Sequence, residues 1–289
     1  MIRVELQGGL GNQLFIWAMA HRLSEDYKSD IRIIVPRNRK SRTDRPCELF
    51  DLANLCDHRI SISESWWFSQ ITKAIDKLNN FKFVIRLDLM HRLGIITQKD
   101  TYDISIANSR APRILRGYFQ STEIAESTKN VIFNEILSYL KSLEFPEVVT
   151  QSEVIKIVHI RRGDTKQISQ EWGILSLEYY EKLINQSDEL VICTDESDFK
   201  EKIVKKFPHS LIVSPEESSA WQVLKIMTNS KDFVMANSTL SWWGGWLAIN
   251  KGGTKVYLPD PWRPNNPKAG QSLNIKLAIS VPAIFESKS

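Results

Sequence analysis

The sequence predicts an α/β protein built from two domains with mostly parallel sheets. Short apolar runs typical of strands alternate with helical patterns along the whole chain, as they do in proteins whose parallel sheets are covered by helices. A polar stretch with a proline, EFPEVVTQSE, separates two halves of similar length. We therefore expect domains at 1–150 and 151–289, with the chemistry in a cleft between them.

In the first half, the apolar pattern predicts strand 2–6, helix 12–27 and strand 31–35. The pattern is less regular in SWWFSQITKAIDKLNNFKFVIRL, where Trp66, Trp67 and Phe68 stand beside Lys73 and Lys77. This composition fits either a core helix or a helix at a membrane surface. Further on, RILRGYF predicts a strand and NVIFNEILSYLKSL predicts a helix.

The second half alternates more regularly. Apolar runs predict strands at 154–160, 189–194, 210–213, 232–236 and 254–258. Helical periodicity predicts helices at 176–186, 197–207, 219–229 and 239–249. After LPDPWRPNNPKAGQ the chain is rich in loops and ends in a short helix or strand.

Composition narrows the class of protein. The net charge of +4 is mild and the basic residues are scattered, so nucleic acid is not an expected partner. Three cysteines lie far apart, which favours a reducing compartment over a disulfide framework. We expect no signal peptide, because the sequence begins with a predicted strand, and the longest uncharged stretch, 233–250, is too polar to span a membrane. We expect a cytoplasmic protein with peripheral contact at the inner face of the membrane.

A glycine cluster lies between the first strand and the first helix, in VELQGGLGNQLFIWAMA. Glycines at a helix start let main-chain N–H groups approach an anion. Gly9 and Gly11 match the dinucleotide fingerprint, but Leu14 replaces its third glycine. Pro36 and Arg37 also stand where the ribose of NAD requires an acidic residue. The pattern argues against NAD, whereas an NADP site using Arg37 and a purely structural turn both stay open.

The stretch IVHIRRGDT ends a predicted parallel strand, at the sheet edge where α/β proteins bind ligands. An arginine there offers paired donors to phosphate oxygens. Alternation along the strand puts Arg161 on the same side as His159, so Arg161 is the candidate for a pyrophosphate. The alternative is that Arg161 and Arg162 pair with Asp164 and Asp195 in a structural network.

Two further strand ends carry polar side chains. Asp195 follows the strand in VICTDES, where a carboxylate can accept two hydrogen bonds from guanine or cap the helix beginning near Ser197. In VMANSTLSWWGGWLA, a strand-to-helix junction is formed by Asn237, Ser238 and Thr239. Such a junction can hold a phosphate or simply cap the helix.

Trp242, Trp243 and Trp246 follow this junction and are predicted core aromatics, with sugar stacking as the alternative. The sequence has no D-x-D triplet and no cluster with metal-ligand spacing, so we expect no metal at the site. A leaving pyrophosphate would then be stabilised by arginines and helix dipoles. Neither a G-x-S-x-G elbow nor a P-loop is present, which disfavours hydrolases and kinases.

Five motifs, GGLGNQLF, RGYFQ, HIRRGD, LEYY and ANSTLSWWGGWLA, stand in an order and spacing that resemble the alpha-1,2-fucosyltransferases of glycosyltransferase family eleven. The likeness spans residues 4 to about 262 but not the stretch 37–111. It implies a GT-B fold of two Rossmann-like domains and an inverting transfer of L-fucose from GDP-β-L-fucose, without metal or cofactor. The implied acceptor is the 2-hydroxyl of a galactose-terminated oligosaccharide or lipid-linked glycan in surface polysaccharide (O-antigen) synthesis.

The resemblance also implies roles for individual residues. Arg161 contacts the β-phosphate, and His159 and Asp195 lie on the guanine side. The phosphate region is lined by Asn237, Ser238 and Thr239. The sugar end of the donor or the acceptor is contacted by the turn from Gly8 to Gly11, including Gly9 and Gly11 themselves, with Asn12 and Gln13.

An inverting transferase normally uses a base for the acceptor hydroxyl. The candidates are Asp164 and Glu171, with the alternatives that Asp164 orients Arg161 and that Glu171 is an exposed carboxylate. The chain departs from the family pattern at Thr165 and at Glu171–Gly173, which leaves the acceptor open. Rival functions are a transferase for another nucleotide sugar such as GDP-mannose, a non-catalytic nucleotide or sugar binder, and an NADP-dependent reductase.

Overall fold

The computed structural model describes residues 1–36, 46–56, 59–78, 94–97, 113–149, 156–163, 172–185 and 188–286. The chain forms two compact units, Met1–Tyr139 (unit 1) and Leu140–Ser289 (unit 2). The boundary predicted between residues 150 and 151 lies outside the described residues. The prediction of an α/β protein with parallel sheets is confirmed, since every strand pairing in the two sheets is parallel.

Unit 1 contains a five-stranded sheet in the order β3-β2-β1-β5-β4. Its strands are β1 (Ile2–Glu5), β2 (Ile31–Pro36), β3 (Ile60–Ser65), β4 (Ile95–Thr97) and β5 (Ile114–Arg116). Its helices are α1 (Leu10–Tyr27), α2 (Phe50–Asn54), α3 (Trp66–Leu78), α4 (Thr122–Ser127) and α5 (Lys129–Ser142), the last of which continues into unit 2.

Helix α1 is the central helix of unit 1. Its side chains from Leu14 to Ala20 are fully buried, because the helix is apolar on nearly all sides. It ends where Lys28 adopts a left-handed conformation, with φ of 48°. The edge strand β3 and the short strand β4 were not predicted. In β3 the sequence ISISES alternates apolar and polar residues, and a strand of this kind gives a weaker apolar signal than a central one.

Unit 2 contains a six-stranded sheet in the order β11-β10-β9-β6-β7-β8. Its strands are β6 (Lys156–Ile160), β7 (Leu190–Thr194), β8 (Ser210–Val213), β9 (Asp232–Val234), β10 (Lys255–Asp260) and β11 (Ile279–Pro282). The chain adds β7 and β8 on one side of β6 and β9 to β11 on the other, which is the order of a Rossmann fold. The carboxyl ends of β6 and β9 therefore flank the point where such sheets bind ligands.

The helices of unit 2 are α6 (Leu177–Glu181), α7 (Lys200–Lys206), α8 (Ala220–Thr228) and α9 (Thr239–Lys251). The predicted helix 197–207 begins with a 3₁₀ turn at Ser197–Phe199, and a second 3₁₀ segment covers Pro267–Leu273. Helix α9 packs very closely on its surroundings. A Cβ at Gly244 would lie 2.7 Å from Cβ of Met227, and one at Gly245 would lie 2.8 Å from Sδ of Met235. The two glycines thus allow α9 to approach α8 and the sheet.

Candidate functional site

The switch point of unit 2 brings together two of the loops predicted from sequence. Strands β6 and β9 are neighbours, and Val158 is paired with Val234. Arg161 follows β6 and Asn237 follows β9 at the same edge of the sheet. Because adjacent strands lie about 4.8 Å apart, both loops border one ligand-sized region.

Asp195 organises the loop that follows β6. One of its oxygens, Oδ2, lies 3.0 Å from Nη1 of Arg161. The other, Oδ1, accepts hydrogen bonds from the main-chain N–H groups of Arg162, at 2.7 Å, and Gly163, at 3.0 Å. The ion pair of Arg161 with Asp195 matches one part of the predicted structural network, whereas the side chain of Arg162 pairs with Glu196 and Glu286 instead. The capping alternative is wrong, because the N-cap of the following 3₁₀ turn is Glu196; a guanine contact by Asp195 stays a prediction.

The Arg162 side chain does not pair with Asp195; it binds Glu196 and, near the C-terminus, Glu286. Its Nε donates to Oε2 of Glu196 at 3.0 Å, and its two Nη atoms donate to the two carboxylate oxygens of Glu286. Its Cζ lies 3.9 Å from the ring centroid of Phe199. Burial alone would lower the pKa of Arg162, but Glu286 and Glu196 outweigh it and raise that pKa. The side chain of Arg161 is 26% exposed, whereas that of Arg162 is 10% exposed. Arg161 is therefore the arginine of this pair that reaches solvent.

His159 is a neutral, buried histidine on β6. Burial, with a smaller contribution from the charge of Arg161, lowers its pKa to about 3. Its Nδ1 is buried and has no hydrogen-bond partner in the described part of the chain. A buried ring nitrogen without a partner is uncommon in folded proteins, which suits a residue that meets a ligand. The predicted contact of His159 with guanine stays a prediction.

Asn237 fastens the strand end to two other loops. Its Nδ2 lies within hydrogen-bond distance of three carbonyl oxygens, those of Trp172 and Gly173 at 3.2 Å and that of Trp262 at 3.4 Å. The residue is buried. Because the amide hydrogens of Asn237 are directed at these carbonyls, the side chain holds the neighbouring loops in position. Its place in a phosphate region stays a prediction.

The beginning of α9 has the properties of an anion site. Ser238 is its N-cap residue, but the serine side chain makes no capping hydrogen bond. The first turn contains no acidic residue, and Ser241 uses its Oγ to accept the N–H of Ala236 at 3.0 Å. The first N–H groups of a helix have no partner within the helix and carry partial positive charge. Ser238 and Thr239 lie at this helix start, and their contact with a phosphate stays a prediction.

The three tryptophans of α9 form part of the core of unit 2. Trp242, Trp243 and Trp246 are fully buried, and the rings of Trp242 and Trp246 are stacked with centroids 6.2 Å apart. Nε1 of Trp242 donates to the carbonyl of Leu273 at 2.7 Å. The core prediction is confirmed, and the sugar-stacking alternative for these rings is wrong.

In unit 1, a carboxylate of the protein, that of Glu48, binds at the glycine turn before α1. Oε1 of Glu48 accepts the N–H of Leu10, in the first turn of α1, at 3.0 Å. Gln13 is fully buried; its Nε2 donates to the carbonyls of Gly8 and Pro46, and its Oε1 accepts the N–H of Glu48. The Gln13 side chain thus fastens 46–48 to the turn. This supports the structural alternative for the turn, whose Gly8 has a φ of +74°.

Two other residues of the turn, Gly9 and Asn12, reach the surface. Gly9 is half-buried, and a Cβ built on it would meet no atom within 4 Å. Asn12 is also half-buried, and its Oδ1 accepts a hydrogen bond from Nε2 of Gln120 at 2.9 Å. Gly11 is buried at the start of α1. The sugar contacts predicted for Gly9, Gly11, Asn12 and Gln13 stay predictions.

Asp164, Glu171 and Arg37 lie outside the described residues, so the two candidates for the base and the NADP contact stay predictions. The structure adds two residues that sequence reasoning missed. Arg263 follows β10, and its Cζ lies 3.4 Å from the ring centroid of Trp172. In the stretch LPDPWRPNNP an arginine stands three residues after the end of β10, a weaker form of the signal that identified Arg161.

Within the described ranges, no group of three or more His, Cys, Asp or Glu side chains could hold a metal ion. None of the helices there is long and apolar enough to cross a membrane. In α3, Trp66 is 49% exposed and Trp67 is 73% exposed, whereas Phe68 is buried. The core-helix prediction is therefore wrong for Trp66 and Trp67 and confirmed for Phe68.

Comparisons with known proteins agree with the motifs. The model of glycosyl transferase family 11 matches residues 1–272. Two proteins of Escherichia coli are each 25% identical: the O-antigen biosynthesis glycosyltransferase WbnK, over 91% of this chain and 95% of WbnK, and an alpha-1,2-colitosyltransferase, over 91% of this chain and 92% of that protein. A solved structure, fucosyltransferase NodZ from Bradyrhizobium, is 12% identical, with a TM-score of 0.44 over 85% of this chain and 92% of NodZ.

Proposed function

The chain belongs to glycosyl transferase family 11, and we propose that it transfers L-fucose from GDP-β-L-fucose to the 2-hydroxyl of a terminal β-galactoside. The acceptor is a galactose-terminated oligosaccharide or lipid-linked glycan of a surface polysaccharide such as O-antigen. The fucosyltransferase and O-antigen names of similar proteins support this proposal. The observation that carries it is that Arg161 and the uncapped start of α9 follow two neighbouring strands, β6 and β9, at the switch point of unit 2.

The proposed mechanism relies on stabilising the leaving GDP. The acceptor oxygen forms a bond to C1 of fucose while the bond from C1 to the β-phosphate oxygen breaks and GDP keeps the electron pair. Arg161 and the N–H groups at the start of α9 stabilise the charge that develops on the phosphate. The acceptor proton passes to Asp164 or Glu171, and the sugar configuration inverts. In this scheme cationic and dipolar groups take the place of a metal ion.

The nucleotide end and the sugar end are bound by different parts of the chain in this proposal. His159 and Asp195 lie on the guanine side, and Asn237 shapes the phosphate region. Gly9 and Gly11 allow close approach of a sugar to the turn before α1, where the Asn12 amide offers polar contacts and Gln13 holds the turn in place.

The identity of the donor sugar has two alternatives. The similarity to an alpha-1,2-colitosyltransferase favours GDP-colitose, whose sugar lacks the 3-hydroxyl of fucose, as one of them. GDP-mannose is the other. An NADP-dependent reductase is disfavoured, because the carboxylate of Glu48 occupies the helix start that would receive the pyrophosphate. Turnover of a panel of nucleotide sugars ranks the donors, and preference for GDP-mannose would contradict the proposal.

The decisive experiment measures fucose transfer from GDP-fucose to lactose in EDTA. We expect product with the wild type and a kcat lower by about 100- to 1000-fold in Arg161→Ala, the usual loss when a group that stabilises developing charge is removed. Arg22→Ala is the matched control, because Arg22 is also paired with an aspartate, Asp26, at 2.8 Å but lies on α1. If the wild type binds GDP yet transfers no sugar to any β-galactoside, the protein is a nucleotide binder instead.

A lipid surface is the proposed docking partner of α3. Trp66, Trp67 and Ile71 expose large apolar areas, and Lys73 is exposed beside them. Interfacial helices combine such aromatics with basic residues that attract anionic lipids. Between residues 66 and 92 the sequence has an excess of basic residues: Lys73, Lys77, Lys82, Arg86 and Arg92 against Asp76 and Asp88.

Co-sedimentation with vesicles tests the lipid surface. We expect binding to phosphatidylglycerol vesicles, little binding to phosphatidylcholine vesicles, and loss of binding in the double variant Trp66→Ser, Trp67→Ser. Val204→Ser removes an apolar side chain of α7 that is 48% exposed and serves as the control. Unchanged vesicle binding of the double variant would contradict the proposal, as would a dimer of the wild type that this variant abolishes.

A further inference from the structure

The loop that carries Trp172 lies at the edge of the proposed donor site. The main-chain carbonyls of Trp172 and Gly173 each lie 3.2 Å from Nδ2 of Asn237. Asn237 itself follows β9 and directly precedes Ser238, the N-cap of α9. The backbone of Trp172 is therefore hydrogen-bonded to the residue that follows β9, at the edge of the proposed phosphate site.

Two features restrict the position of the Trp172 ring: its contact with Arg263 and the conformation of the next residue, Gly173. The guanidinium carbon of Arg263 lies 3.4 Å from the ring centroid, and Arg263 is buried, with 4% of its surface exposed. The next residue, Gly173, has a φ of +72°, and a Cβ there would approach Phe285 and Pro264 to 2.6 Å. A side chain at this position would disturb the turn, so the backbone that presents the ring has little freedom.

Trp172 differs in exposure from the other tryptophans of unit 2. All six are among the described residues; Trp172 is half-buried, and the rest, Trp221, Trp242, Trp243, Trp246 and Trp262, are buried. A large ring that is held rigidly and still reaches solvent beside a ligand site offers an apolar contact at low entropic cost. A 6-deoxy sugar presents such a partner at its C6 methyl group.

We propose that Trp172 determines donor specificity by packing against the C6 methyl group of a 6-deoxyhexosyl donor. This inference rests on the proposed function and adds the residue that separates a 6-deoxy sugar from a hexose. A hexose would place its 6-hydroxyl against the ring, where the hydroxyl loses water and gains no partner. An apolar contact of this kind discriminates by about 10- to 100-fold.

The test measures, by calorimetry, the affinity of the full chain for GDP, GDP-fucose and GDP-L-galactose, whose sugar differs from fucose only by a 6-hydroxyl. We expect the wild type to prefer GDP-fucose over GDP-L-galactose by about 10- to 100-fold. Trp172→Ala removes most of this preference, while Trp172→Phe, which keeps an aromatic face for the sugar and for Arg263, retains most of it. The affinity for GDP alone stays the same in both variants, because GDP is bound through Arg161 and α9. Trp67→Ala, which removes an exposed tryptophan of unit 1, changes none of the three affinities.

The possible failures of the two proposals are distinguishable. If the wild type binds none of the three nucleotides, the proposed function fails and the role of Trp172 fails with it. If GDP binds normally but Trp172→Ala leaves the ratio of the GDP-fucose and GDP-L-galactose affinities unchanged, only the role of Trp172 is refuted. A parallel loss of affinity for all three ligands in both Trp172 variants would show that the residue is structural and would also refute it.

Discussion

The helix starts of α1 and α9 occupy comparable positions in their units but differ in the contacts of their first turns. Each helix follows a parallel strand of its own unit and begins without a side-chain cap from its N-cap residue. At α1, the carboxylate of Glu48 accepts the N–H of Leu10. At α9, the first turn contains no acidic residue and Ser238 makes no capping bond.

This comparison shows why a glycine turn is a poor guide to ligand binding. The partial positive charge at a helix start is satisfied by whichever anion lies nearest. In unit 1 that anion belongs to the chain, so the turn serves mainly to join 46–48 to α1. In unit 2 the helix start shares its sheet edge with Arg161, which favours an external phosphate there.

The largest expected effect on stability concerns His159, the buried histidine of β6. The ordinary pKa of histidine, 6.5, is lowered to about 3 in folded His159, chiefly by burial and also by Arg161. Between these two values the unfolded chain binds more protons than the folded chain, so stability falls as the pH falls below 6.5. From pH 7 to pH 5 this one group costs about 2 kcal/mol of unfolding free energy.

Urea unfolding at pH 7 and pH 5 tests this prediction. His159→Gln loses about 2 kcal/mol less than the wild type over this range, since carboxylates titrate equally in both proteins. His209→Gln, at an exposed position, behaves like the wild type. An equal loss in the wild type and His159→Gln would mean that the folded protein accepts a charged His159, and the α9 site would then contain a second cation.

Removing the Glu48 carboxylate tests its role at the start of α1. Glu48→Ala is expected to lower the unfolding free energy by about 1–2 kcal/mol, because α1 loses a charge-assisted bond at its start. Glu25→Ala, at an exposed position of the same helix, changes it by less than about 0.5 kcal/mol. The affinity for GDP stays constant in both variants; a tighter affinity in Glu48→Ala would mean that the nucleotide binds at the start of α1, where the Glu48 carboxylate competes with it.

The smallest expected effect separates a ligand contact from a capping role at Ser238. Because its hydroxyl makes no capping bond, Ser238→Ala should change the unfolding free energy by less than about 0.5 kcal/mol. The affinity for GDP should fall by about 2- to 10-fold, the value of one neutral hydrogen bond.

Ser219 provides the opposite case for this measurement. It forms a capping box with Gln222 at the start of α8, so Ser219→Ala should cost about 1 kcal/mol of stability and leave GDP binding unchanged. Calorimetry and urea unfolding of the two variants give both quantities. A full capping loss in Ser238→Ala without any change in GDP affinity would remove Ser238 from the proposed phosphate site.

Much of unit 2 could be predicted from the sequence. The strands and helices around Arg161, Asp195 and Asn237 lie close to their predicted bounds, because apolar periodicity and turn residues are local signals. The strand β3 and the exposure of Trp66 and Trp67 could not be predicted. Exposure depends on which face of α3 meets the rest of unit 1, and local periodicity does not specify that.

The sequence by itself determined the alternation of strands and helices, the polar residues at the strand ends and the motifs of the family. Only the tertiary structure decided the partner of each polar group. Glu48 meets Leu10 across 38 residues, Asn237 meets Trp172 across 65, and Arg162 meets Glu286 across 124. Bonds over such separations form only once the sheets have assembled. They decided that Glu48 binds at the start of α1 and that Arg161, rather than Arg162, reaches solvent.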